Sequence, residues 1–264
     1  MKHLKLFVTL LLFGSIFFLV ACNDDDEKKA LPLQFEKEYY EVRKSSESYD
    51  LRTFIPLLGG SRNYDLSIKD PKILEVGTSF YDEDDPGMLL ITGKEKGSTT
   101  ITVTDTQQKT SQTITIKVVD FYTSVSITKS NHPILKESTV LFLVNNETKD
   151  CYLFSKENEG IITEKTPLLK GTFSLIEEDK TPYLIVTYSK NEKEVSHKFD
   201  IQQSKYGVVQ FLNGWFQLGW EIITESKTRT SVAKYPIMNL KEVDTEYEAE
   251  GFLHKIEIPE KILD

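Results

Sequence analysis

Cysteine is scarce in this chain of 264 residues: only Cys22 and Cys151 occur. That excludes a dense disulfide framework and a cysteine-rich zinc site. Histidine is nearly as rare, with His3, His132, His197 and His254, and no two of them have metal-ligand spacing along one predicted element. There is no His-Glu-x-x-His, Gly-x-Ser-x-Gly, phosphate-binding glycine loop or Cys-x-x-Cys, which removes the commonest signatures of hydrolytic, nucleotide-dependent and redox chemistry. Positive charge is also in deficit. Lys and Arg number 32 against 41 Asp and Glu, for a net charge of −9, so the chain gains little from displacing counterions from phosphate and no nucleic-acid partner is expected. Long helical patterns are missing too, which argues against an α/β fold. What the chain does have is 39% hydrophobic and 11% aromatic residues, enough to bury a core and unlike a collagenous or wholly disordered sequence. The length suggests one or two domains.

The first 30 residues differ from the rest. Lys2 and Lys5 precede a nearly unbroken apolar run from Leu6 to Ala21, followed directly by Cys22. A positively charged start and an apolar run shorter than the ~20 residues of a spanning helix read as a secretory signal peptide. An uncleaved membrane anchor is the alternative. Leu19-Val20-Ala21-Cys22 resembles the lipobox of bacterial lipoproteins. The resemblance implies signal-peptidase cleavage after Ala21, a diacylglycerol thioether on Cys22 and further acylation (palmitate-type chains) of the freed amine. Each buried methylene then adds ~0.8 kcal/mol, so several acyl chains anchor the protein to its membrane. The next residues, Asn23-Asp24-Asp25-Asp26-Glu27-Lys28-Lys29, read as a solvated tether. They also resemble the acidic signal that sends some lipoproteins of two-membrane bacteria to the outer face of the outer membrane. The expected segments are a signal peptide at 1–21 and a lipidated acidic tether at 22–30. With Cys22 consumed, Cys151 is the one thiol left, in the apolar run Cys151-Tyr152-Leu153-Phe154, where a small buried hydrophobe is expected rather than a nucleophile.

From Leu33 onward the dominant period is two. Thr100–Thr104 and Thr113–Val118 alternate strictly across a polar connector, the pattern of a hairpin with one buried face. The expected fold class is all-β. Gly59-Gly60-Ser61, Asp70-Pro71-Lys72-Ile73-Leu74-Glu75-Val76, Leu89-Leu90-Ile91-Thr92-Gly93 and Lys96-Gly97-Ser98-Thr99-Thr100-Ile101-Thr102-Val103-Thr104-Asp105 together resemble a bacterial immunoglobulin-like domain of group 2. That implies an immunoglobulin-like sandwich at 31–120, with a role as spacer, adhesion module or platform and no catalytic residues. Residues 121–264 form a second all-β unit, with strands expected near 125–128, 139–145, 151–154, 171–176, 183–188, 195–201, 208–212, 215–223 and 252–258. Many strands joined by short turns suggest an antiparallel barrel or sandwich. The order Gly171-Thr172-Phe173, Tyr183–Tyr188, Lys198–Ile201 resembles the lipocalin-like barrels of bacterial surface lipoproteins.

Two segments could carry a site. Tyr81-Asp82-Glu83-Asp84-Asp85-Pro86-Gly87 is the densest acidic cluster of the folded part. It reads as a solvated turn, or as a calcium loop between Asp82 and Asp85, although the alternation of calcium loops is missing. Val208–Trp220 reads as a hairpin about a type I′ Asn213-Gly214 turn. Strand parity then puts Trp215 beside Gln210 and Gln217 on one face, where the indole would stack on a sugar and the amides bind hydroxyls, or the tryptophan would pack against core or neighbour. No catalytic residue, metal ligand or cofactor is assigned. The expected function is a lipid-anchored, cell-surface protein of the outer membrane that binds or adheres without enzymatic activity, a glycan being the expected ligand class. The alternatives are a structural envelope component docking on an outer-membrane protein partner, and a carboxylate-dependent hydrolase.

Overall fold

The computed structural model describes residues 31–45, 51–82, 85–157, 161–221, 236–254 and 256–263. The apolar run, Ala21, Cys22 and the acidic tether lie outside the described residues.

The first seven strands form two facing sheets. Strands β1 (Tyr39–Arg43), β7 (Thr110–Val119), β6 (Gly97–Asp105) and β3 (Tyr64–Ile68) make one sheet in that order, and β2 (Arg52–Pro56), β5 (Met88–Gly93) and β4 (Leu74–Ser79) the other. β1 runs parallel to β7, and the remaining pairs are antiparallel. The expected hairpin is β6–β7, with Ile101 opposite Ile114. Its alternate residues Ile101, Val103, Ile114 and Ile116 are buried against Ile55, Leu89 and Ile91 of the other sheet, so one face of each strand supplies the core. Gly97, at the start of β6, has φ 150°. Gly59 has φ 113°, and a Cβ there would lie 2.4 Å from the Pro32 carbonyl oxygen, a position open only to glycine.

Asp105 locks the end of this hairpin. It is fully buried. Its Oδ1 accepts from Gln107 N–H at 3.1 Å, Gln108 N–H at 2.8 Å and Ser61 Oγ at 2.5 Å, and its Oδ2 accepts from Ser61 N–H at 2.5 Å. Burial alone would raise the carboxyl pKa, but the donors from Gln108, Ser61 and Gln107 outweigh it and hold the group below the usual carboxylate range.

The remaining strands close into an eight-stranded barrel: β8 (Tyr122–Ser130), β9 (Thr139–Val144), β10 (Asp150–Ser155), β11 (Leu169–Glu178), β12 (Thr181–Lys190), β13 (Lys193–Asp200), β14 (Ile237–Glu242) and β15 (Glu248–His254). Each strand pairs antiparallel with the next, and β15 returns to β8. The interior is filled by side chains, among them Leu141, Leu153, Leu184, Phe199 and Met238, as expected for a barrel of this strand number. Cys151 lies among them, fully buried, with its thiol pushed up to about 12 by burial. β9 is buried on both faces. Leu141 and Leu143 face the interior, while Val140, Phe142 and Val144 pack outside against Phe154, Ile256, Ile258 and Leu263. The segment 256–263 thus straps the barrel's outer wall.

That strap also reaches the sandwich. Ile258 N–H donates to the Tyr122 hydroxyl at 3.1 Å and Lys261 N–H to Glu41 Oε1 at 3.0 Å. Lys37 pairs with Glu260 at 3.2 Å. From β1, the Arg43 guanidinium donates to the Tyr122 carbonyl at 3.0 Å and lies over the Tyr122 ring at 5.0 Å.

One expectation is overturned. Val208–Phe216 is a helix, α1, which takes in the expected first strand Val208–Leu212, the Asn213-Gly214 turn and the start of the expected second strand. Val208, Leu212 and Phe216, four residues apart, form its buried stripe and join the barrel core. Gly214 sits inside the helix with open space about it, and Asn213 serves the chain beyond the helix. Its side chain accepts from Trp220 N–H at 3.0 Å and donates to the Trp220 carbonyl at 3.2 Å. β14, unpredicted from sequence, takes the place in the barrel that the two hairpin strands were expected to fill.

Candidate functional site

α1 follows β13 and plugs one mouth of the barrel. At the other mouth, β12, β13, β14 and the 131–138 loop bring four polar side chains into an apolar wall. Inward parity on β13 aims His197 to the same side as Phe199, and on β12 it aims Tyr188 inward with Leu184 and Val186. Glu242 ends β14 and His132 follows β8.

Hydrogen bonds link Tyr188, His197 and Glu242, and His132 approaches Glu242. His197 Nδ1 lies 2.6 Å from Glu242 Oε1, and its Nε2 lies 3.3 Å from the Tyr188 hydroxyl. With Nδ1–H donating to Glu242, Nε2 is the atom left to accept from the Tyr188 hydroxyl. Thr245 Oγ1 donates to Glu242 Oε2 at 3.1 Å. His132 Nδ1 accepts from the N–H groups of Ile134 at 3.2 Å and Leu135 at 3.1 Å, which puts the proton of its neutral ring on Nε2. That Nε2 has no hydrogen-bond partner and lies 3.5 Å from Glu242 Oε2. The His132 side chain is 1% exposed. Burial lowers its pKa, with the Glu242 charge opposing, and burial together with Glu242 raises that of Tyr188.

The His132, His197 and Glu242 ligand atoms lie within 4.8 Å of one another, close enough to suggest a metal. The donor set argues otherwise. A metal-bound histidine donates its second ring N–H to an acceptor, whereas His132 Nδ1 faces two backbone donors. Coordination through Nε2 would put a proton against them. The cluster is better described as a hydrogen-bonded chain from Tyr188 through His197 and Glu242 toward His132.

A void of about 10 Å³ lies above the cluster, lined in part by His132, His197, Tyr188 and Phe199, room for about one water. Ile134, Leu153, Leu169 and Tyr188 separate it from an open groove of about 440 Å³. The groove is bordered by Leu168 and by Lys136, Lys170 and Lys190, all four exposed.

The residues singled out in the sequence fall elsewhere. Trp215 projects from α1 at the plugged mouth, stacked on Phe211 (5.4 Å between ring centres, 18° between planes) and tilted against Phe121 at 5.8 Å. Gln210 and Gln217 are exposed. On a helix, residues five before and two after Trp215 do not share its face, so the helix disperses the trio that the hairpin reading placed together. In the acidic turn, Asp85 accepts from the N–H groups of Tyr81 and Gly87, both bonds lowering its pKa, and Asp82 accepts from Asp85 N–H. These carboxylates close their own loop, and Glu83 and Asp84 lie outside the described residues. The cluster at the open mouth went unrecognised. Its one legible signal was a histidine at an inward position, since His197 alternates with Phe199.

Residues 61–119 match the family model described as "Pilus formation protein N terminal region". No curated protein matches the chain. Among solved structures, domains 1–6 of the surface layer protein SbsC align at 13% identity with a TM-score of 0.27, over 68% of this chain and 23% of that one. Domains 5–6 of SbsC align at 13% identity and TM-score 0.27, over 84% and 96%. A structural genomics protein of unknown function from Bacteroides thetaiotaomicron VPI-5482 aligns at 11% identity and TM-score 0.21, over 68% and 48%. The chain therefore spans less than a quarter of the length of the first of these structures.

Proposed function

We propose that this chain is a lipid-anchored protein of the bacterial cell envelope, exposed at the cell surface, with a structural or binding role and no enzymatic activity. The observation that carries the reading is Leu19-Val20-Ala21-Cys22 placed directly after the apolar run. The match of residues 61–119 to pilus formation proteins supports an envelope setting. The filled barrel, plugged by α1 at one end, supports a scaffold more than a reaction vessel. Lipid on Cys22 and the acidic tether would hold the sandwich off the membrane, with the barrel beyond it.

Docking on an envelope protein partner is supported by the pilus-related match. Glycan binding through Trp215 has less support, because Phe211 is stacked against the indole. A carboxylate-dependent hydrolase has less still: Glu242 is engaged by His197 and Thr245, and the cluster holds no second carboxylate among the described residues. Protease shaving of intact cells combined with in-cell cross-linking tests the proposal. Release of barrel peptides and a stoichiometric protein adduct are expected. Full protection of the barrel in intact cells would contradict surface exposure, and specific glycan capture abolished by Trp215→Ala in a folded protein would contradict the docking reading.

A further inference from the structure

The groove beside the open mouth differs in charge from the rest of the molecule. Its lining includes three lysines and no carboxylate, in a chain with 41 acidic and 32 basic residues. Among the described residues, Lys136, Lys170 and Lys190 form no ion pair with a carboxylate, although Lys170 Nζ lies over the Tyr152 ring at 5.6 Å. Beneath these charges the floor is apolar, and Leu168 at its border leaves 59% of its surface in water. Exposed hydrocarbon is unfavourable in water, and with solvated ammonium groups at its border it is complementary to a molecule that is both greasy and anionic. The volume of about 440 Å³ falls within the ~300–1,000 Å³ typical of small-molecule sites. The barrel interior is occupied by its own side chains, so such a ligand would lie in this external groove.

We propose that the groove binds a single-chain amphiphile with a carboxylate head, a fatty-acid-like anion. Its hydrocarbon covers Ile134, Leu153 and Leu169, and its head lies among Lys136, Lys170 and Lys190. Tyr188 forms part of the same floor and also touches His197, so occupancy is felt by the neighbouring imidazoles. This proposal is independent of the lipid anchor.

The test uses the full chain in nanodiscs of uncharged phosphatidylcholine, with a photoreactive decanoate as probe and labelled peptides mapped by mass spectrometry. Labelling of segments 133–139, 168–170 and 188–190 is expected, competed by decanoate and at least tenfold less by decyltrimethylammonium. The ring resonances of His132 and His197 shift with decanoate. Replacing the three exposed lysines by Glu reduces labelling at least tenfold, and replacement by Gln reduces it to an intermediate level, with an unchanged circular dichroism spectrum in both. Labelling elsewhere, equal competition by the cationic amphiphile, or no labelling at all would overturn the proposal. So would labelling suppressed by anionic phospholipid in the disc but not by decanoate, which would assign the groove to a membrane surface.

Discussion

At Asp105 one buried carboxylate satisfies donors from three other residues, so its removal strands the donors of Ser61, Gln107 and Gln108. Asp105→Ala is expected to cost about 1–3 kcal/mol, the range for stranding buried donors, measured by denaturant unfolding at neutral pH. Because the folded pKa is held below the unfolded value near 4, the stabilisation is complete above that value and disappears as pH falls through the folded pKa. The difference between wild type and Asp105→Ala therefore narrows in acid. His132 has the opposite chemistry, because burial disfavours its charged form. Its folded pKa lies below the unfolded value near 6.5, so the unfolded chain takes up more protons and stability declines as pH drops below ~6.5. Unfolding midpoints measured from pH 7.5 to 5 should fall in the wild type and fall less in His132→Asn, whose side-chain oxygen can accept from the loop N–H groups that His132 Nδ1 serves. An equal pH slope in both proteins would contradict this assignment. Residue-scale legibility was partial. Alternation on β13 marks His197 as inward-facing, but its partnership with Glu242 depends on how β13 meets β14. Those strands share only the pairs Phe199 to Glu242 and Asp200 to Lys241, a closure that no local pattern encodes.

Among the elements, β9 and β10 were readable as apolar runs, β11 to β13 as strands joined by polar turns, and β6 and β7 by strict alternation across a polar connector. Their side-chain period decides both the secondary structure and the buried face. α1 was not. The apolar residues at 208, 209, 211, 212, 215 and 216 recur at three- and four-residue spacing, as on a helix, but Asn213-Gly214 imitates a hairpin turn and draws the reading toward two strands. What decides is tertiary. A four-residue spacing presents Val208, Leu212 and Phe216 together to the barrel mouth, which two more strands could not plug. The two readings differ in a measurable way. In a helix with open space at Gly214, Gly214→Ala should stabilise the protein by about 0.5–1 kcal/mol. In a type I′ turn, where that position needs positive φ, the same change would destabilise it. Thermal unfolding of this single variant distinguishes them. Trp215→Ala belongs to the same element. Loss of its contacts with Phe211 and Phe121 should lower stability by about 3 kcal/mol, at the low end of the range for emptying an aromatic site because the ring is only half-buried.

For the whole molecule, the strap and the proposed lipid anchor matter most. Residues 256–263 cover the outer face of β9 and hydrogen-bond to both Tyr122 and Glu41, so they join the barrel to the sandwich. A chain ending at residue 255 uncovers Phe142 and Phe154 and gives up the burial of Ile256, Ile258 and Leu263. At about 1.5–3 kcal/mol for each fully buried side chain, the loss is large enough to lower the melting temperature sharply and to raise dye binding to exposed apolar surface. The two-sheet unit was legible because its strands carry both the alternation and the turn glycines. The strap was not, because Ile256-Glu257-Ile258 reads as the continuation of a strand until the barrel is closed. The proposed tie to a membrane through one sulfur atom is tested by mass spectrometry of the N-terminal peptide of protein purified from its own cells. A mature chain that begins at Cys22 and carries the added mass of a diacylglyceryl group is expected. A chain that still contains residues upstream of Cys22, or one whose Cys22 thiol is unmodified, would contradict it.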